Sequence, residues 1–93
     1  MEELISYREE IDVIDKQILA LFSRRMAVVG KIAGYKMKKD MIVYDQTRED
    51  EVVNKNMDNC KDEELKPYYQ EVLETILRVS KEYQKQIILR NTI

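Results

Sequence analysis

The chain has 93 residues, 44% apolar and 37% charged, with 16 Lys+Arg against 18 Asp+Glu, two Gly, one Pro, one Cys, and neither His nor Trp. That length allows one small domain over residues 1–93, and the net charge of -2 disfavours general binding to nucleic acid or an acidic membrane, so any anion site has to be local. The absence of histidine removes a Ser-His-Asp or Cys-His nucleophile, a His general base and the usual His-containing zinc sites together, so neither hydrolase chemistry nor a metal centre is expected.

The opening Met1-Glu2-Glu3 lacks a basic flank, and the longest apolar run, Ile18 to Phe22, is far short of a membrane span or signal core. A soluble cytoplasmic protein is expected. Punctuation is sparse: the first Gly is Gly30, and neither Gly nor Pro occurs between Gly34 and Pro67, which favours helices. From Leu4 the apolar positions Ile11, Ile14, Ile18, Leu21, Phe22, Val28, Val29 and Ile32 follow the three-and-four spacing of one amphipathic helix running to about Lys38. Such a helix is roughly 50 Å long, whereas a compact globule of this size is only about 30 Å across. Its own chain cannot bury it, so a two-fold dimer sharing the long helices is expected. Ala27, Gly30 and Gly34 recur on one side and would let another backbone approach closely, or are simply tolerated there.

A break is predicted at Lys39 to Tyr44, where a β-branched stretch interrupts the period. Asp45 then caps a second, shorter helix through Arg48, Val52 and Val53 toward Met57, since its carboxylate can accept the free N–H groups of a first turn. A polar loop from Asp58 to Glu64 follows and contains Cys60. With no second cysteine there is no internal disulfide, which fits a reducing compartment, and without a His neighbour an inert thiol is the expectation. Pro67 suits the first turn of a third helix, whose apolar face comprises Leu65, Tyr69, Val72, Leu73, Ile76, Leu77, Tyr83, Ile87 and Ile88.

Several charges sit where that periodicity calls for apolar residues. Arg8, Arg25 and Lys36 interrupt the seam of the first helix. Arg25 and Lys36 are three turns apart, so they share a face within roughly 20° and lie about 16 Å apart along the axis. They either snorkel to solvent or hold a small anion between them. Arg8 lies roughly 25 Å from Arg25 along the axis and is rotated by about 100°, so it reaches the same ligand only from a partner subunit. Ser80 and Gln84 continue the apolar stripe of the third helix one turn apart, and both need hydrogen-bond partners if buried. Asp45, Arg48 and Glu49 share one side of the second helix; a cap plus an exposed Arg48–Glu49 pair accounts for them as well as a site does.

Taken in order, these clusters resemble the active-site pattern of the all-helical chorismate mutase family over almost the whole chain. Leu4-Ile5-Ser6-Tyr7-Arg8-Glu9-Glu10-Ile11-Asp12 is similar to the family's opening. Arg24-Arg25-Met26-Ala27-Val28-Val29-Gly30-Lys31-Ile32-Ala33-Gly34-Tyr35-Lys36 carries its arginine and lysine at their usual separation. Asp45-Gln46-Thr47-Arg48-Glu49 matches its Asp-x-x-Arg-Glu element, and Ser80-Lys81-Glu82-Tyr83-Gln84 its closing Ser-x-x-x-Gln element.

The resemblance implies an all-α fold with one long, one short and one medium-long helix per chain, intertwined as a homodimer whose two sites each borrow an arginine from the other chain. It further implies an isomerase of aromatic amino-acid biosynthesis that rearranges the dicarboxylate chorismate to prephenate without metal or cofactor. In that reading Arg25, Arg48 and Arg8 of the partner subunit hold the carboxylates, for which guanidinium forks are apt, and Ser80 adds a hydrogen bond. Lys36 and Gln84 donate to the ether oxygen as its bond stretches. Glu49, with help near Asp45, accepts from the ring hydroxyl. An isochorismate–pyruvate lyase on the same scaffold is the nearest alternative. A helical dimerisation module without chemistry is another, and for it replacing Arg25 and Lys36 by apolar residues should strengthen assembly rather than abolish an anion site.

Overall fold

The computed structural model describes residues 1–92. It contains three α-helices and no strand among these residues: α1 over Glu2–Lys38, α2 over Gln46–Asn59 and α3 over Lys66–Asn91. This is the long, short and medium-long order that the periodicity predicts, with α2 two residues longer at its C-terminal end. That extension makes Cys60 the C-cap of α2. The thiol is half-buried, not free in an open polar loop, and is 3.5 Å from the Asp62 carbonyl.

The stop between α1 and α2 is sharper than a loss of periodicity. Asp40 takes a left-handed φ of 53°, its N–H donates to the Met37 carbonyl, and the Met41 N–H reaches back to the Lys36 carbonyl at 2.8 Å. These two bonds form a Schellman ending, which usually relies on glycine. Aspartate tolerates the left-handed region better than most residues but carries a Cβ cost there. Asp40→Gly is therefore expected to preserve or raise stability, whereas Asp40→Val should lose roughly 1–2 kcal/mol. Urea denaturation of both variants at one protein concentration checks this.

α2 starts as expected, with the Asp45 side chain accepting from the Arg48 N–H at 3.0 Å. α3 carries Pro67 in its first turn, where the missing N–H costs nothing. α3 packs against both other helices, while α1 and α2 stand apart from each other. The gap between them, floored by α3, is the space in which a site can form.

Little of the chain is buried. Val29, Ala33 and Leu73 are the buried apolar residues, and Ser80 and Gln84 the buried polar ones. The radius of gyration is 16.9 Å and the longest dimension 55 Å, against about 12 Å for the radius of a compact globule of this length. Leu4, Ile11, Ile14, Ile18 and Leu21 are all exposed. Near Gly30 no backbone closes in: a Cβ there would meet side-chain atoms of Ile87 and Tyr83 at 3.6 and 4.0 Å, and one at Gly34 would meet nothing within 4 Å. Ala33, between them, is fully buried. No helix among the described residues is long and apolar enough to cross a membrane.

Candidate active site

Seven of the eight polar residues singled out in the sequence line one cavity of about 150 Å³: Arg25 and Lys36 from α1, Asp45, Arg48 and Glu49 from the start of α2, and Ser80 and Gln84 from α3. Val29, Ile32, Val52 and Leu77 supply apolar walls. Arg8 is the exception. It is exposed on the free N-terminal half of α1, away from the cavity, as its position along the helix requires.

Each side chain is aimed by a specific contact. Arg25 Nη1 donates to Ser80 Oγ at 2.6 Å, and Ser80 Oγ donates to the Ile76 carbonyl one turn back at 2.7 Å. The guanidinium is thereby tied to α3. Lys36 Nζ donates to the Val43 carbonyl at 2.8 Å. The Schellman turn makes this possible, because it folds the Lys39–Tyr44 connection back over the last turn of α1. An ammonium has three donors, so two remain for a ligand. Neither Arg25 nor Lys36 snorkels to water; both are half-buried.

The charges on α2 separate. Arg48 makes an exposed pair at 3.5 Å with Glu51 rather than with Glu49, and such a pair adds little stability. Glu49 turns inward, where Lys81 Nζ lies 3.1 Å from Oε2 and 3.5 Å from Oε1. Lys81 also sits 5.1 Å above the centroid of the Tyr44 ring. Lys81 was not among the sequence candidates. It follows Ser80 directly, so helical spacing gave no reason to place it on the same face.

Two buried oxygen atoms lack a hydrogen bond, Glu49 Oε2 and Gln84 Oε1. For Glu49 Oε2 the lysine is close enough for an ion pair but is not aligned as a hydrogen-bond donor. Buried polar atoms are rarely left so, and both belong to residues lining the cavity. They are natural positions for ligand groups. A half-turn of the Gln84 amide would present N–H in place of oxygen.

Four cations (Arg25, Lys36, Arg48, Lys81) and two carboxylates (Asp45, Glu49) face this space, an excess of two positive charges in a chain whose net charge is -2. A low-dielectric wall beside such a cluster focuses its field on small anions. Among the described residues no group of three His, Cys, Asp or Glu side chains is arranged to hold a metal ion.

An open three-helix array with a cationic, partly apolar cavity between its helices defines the class: an all-helical protein with a positively charged candidate site. A comparison with protein families gives that class its identity: residues 7–85 match chorismate mutase type II. The chain belongs to the chorismate mutase type II family. Comparisons with curated proteins and with solved structures found no match.

Proposed function

We propose that the chain is a cytoplasmic chorismate mutase that works as a homodimer, with residues 1–93 forming one mutase domain. The reaction is an intramolecular Claisen rearrangement, in which the ether C–O bond of chorismate breaks as a C–C bond forms, giving prephenate. It is balanced within one molecule and needs no metal or cofactor. The observation that carries this reading is the convergence of eight polar side chains, the seven above and Lys81, on one cavity with two excess positive charges, a match for a dicarboxylate.

Arg25 and Arg48 hold the substrate carboxylates by paired N–H donors. Ser80, which already accepts from Arg25, can turn its proton from the Ile76 carbonyl to a carboxylate oxygen, since hydroxyl rotors are free to do so. Holding both carboxylates selects the folded, chair-like conformer in which the bond-forming carbons meet. Glu49 Oε2, buried and without a hydrogen bond, accepts from the ring hydroxyl. As the C–O bond stretches, negative charge grows on the ether oxygen. Lys36 and the rotated Gln84 amide donate to it, and bonds that strengthen in the transition state are the ones that accelerate the step.

The dimer rests on surface arithmetic. The chain exposes 7799 Å², whereas a folded monomer of 11.2 kDa exposes about 5,700 Å². The excess of roughly 2,100 Å² is of the size that obligate partners bury, and the exposed row from Leu4 to Leu21 supplies the apolar face. A second copy laid along α1 carries Arg8 of the partner subunit to the open side of the cavity.

Loss of chorismate absorbance on adding the purified protein, with products identified by chromatography, tests the reading, with isochorismate run in parallel. Prephenate is the expected product. Pyruvate release from isochorismate without prephenate would make the chain a lyase on this scaffold. Turnover of neither by a folded dimer would leave a binding module. Gln84→Glu is expected to move activity toward acid, because a carboxyl donates to the ether oxygen only when protonated. Comparing kcat against pH for the two proteins checks it, and unchanged activity at neutral pH would remove Gln84 from the proposed role.

A further inference from the structure

Beside the active-site candidate lies a larger cavity of about 520 Å³ between α2 and α3, lined by Asp50, Asn54, Gln70 and Arg78 among others. Glu49, Leu77 and Lys81 line both cavities, so the Glu49–Lys81 pair forms the wall between them. The carboxylate therefore has two places to go. It can face inward, where a ring hydroxyl would find it, or outward, where water would solvate it.

We propose that Lys81 is the positioning residue that holds Glu49 inward, an inference that rests on the mutase reading above. Glu49 is the side chain of this site with the most to lose from being unpaired: its Oε2 is buried without a hydrogen bond, and Lys81 at 3.1 Å is its ion-pair partner. A buried carboxylate deprived of its countercharge moves to water or destabilises its surroundings. Lys81 is in turn held from a second direction, with its ammonium above the Tyr44 ring, an arrangement favourable for a partly desolvated cation. Tyr44 belongs to the same connection whose Val43 carbonyl binds Lys36. One lysine thus links α3 to Glu49 on α2 and to the segment that aims Lys36 on α1. The lack of an aligned hydrogen bond to Oε2 is part of the role: the lysine supplies the countercharge while the acceptor lone pair stays available for the substrate hydroxyl.

The test compares chorismate turnover by wild type, Lys81→Met, Lys81→Gln, Lys81→Arg, Glu49→Gln and the Lys81→Met/Glu49→Gln double variant, with helicity and oligomeric state measured for each. Lys81→Met is expected to lower kcat/KM about tenfold, the scale of one lost hydrogen bond to a charged group. Lys81→Arg should restore most of it. The double variant should be no worse than the poorer single one, because both changes deprive the substrate hydroxyl of the same charged acceptor. Lys81→Gln serves as a second uncharged variant where the methionine disturbs packing. Wild-type kinetics in both uncharged variants, or losses in the single variants that multiply in the double, would overturn the positioning role while leaving the mutase intact. Absence of chorismate turnover by the wild type would overturn the mutase reading itself, and the role with it.

Discussion

Lys36→Ala is expected to lower kcat by about two to three orders of magnitude with a much smaller change in KM. That is the range seen when a donor aimed at developing negative charge is removed, and the split between the two constants distinguishes it from a residue that binds ground and transition states alike. The side chain is poised for this. It is half-buried at the last turn of α1, anchored through one donor to the Val43 carbonyl at 2.8 Å, and faces the cavity shared with Gln84. The anchor also defines a control. Alanine leaves the Val43 carbonyl without its partner, so circular dichroism and the oligomeric state need to match wild type before the loss is assigned to chemistry. A variant that folds normally and retains wild-type kcat would eliminate Lys36 as the donor to the ether oxygen.

Arg8 offers the other large effect, and it separates a shared site from a self-contained one. Arg8→Ala and Arg25→Ala should each lose about a hundredfold or more in kcat/KM, since each leaves a substrate carboxylate without its guanidinium. Mixed after mild unfolding and refolding, the two inactive proteins are expected to recover about a quarter of wild-type activity. Random reassortment makes about half of the dimers mixed, and each mixed dimer has one site with both arginines and one with neither. Recovery is measured directly in the chorismate assay as a function of mixing ratio. No recovery, with dimer exchange verified, would mean that Arg8 does not serve across the interface. Within one chain Arg8 lies exposed on α1, outside the cavity that gathers the other seven residues, which is why the mixing experiment is the one that tests it.

Much of the framework was legible in the chain. The three-and-four spacing from Leu4 to Ile32, the Asp45 cap and Pro67 placed all three helices correctly, because helix formation depends on neighbours within one or two turns. The same local rule put Arg25 with Lys36, and Ser80 with Gln84, on common faces. The stop at Asp40 was not legible in the same way, since its left-handed φ occurs without the glycine that would announce it. The length of α1 relative to a compact globule of this size was likewise legible, because helical rise is fixed per residue.

What spacing could not supply was the pairing between helices. Glu49 and Lys81 are 32 residues apart, and a helical period says nothing about which side chains of two different helices meet. The Arg25–Ser80 bond, separated by 55 residues, is of the same kind. The Val43 carbonyl that holds Lys36 is a backbone atom every residue possesses, so its role depends on the path of the connecting segment rather than on residue type. Local composition settles which elements form and which faces they present. The packing of α3 against both other helices decides which of those faces enclose a cavity, because cross-helix distances are set by the whole arrangement and by no single stretch of chain.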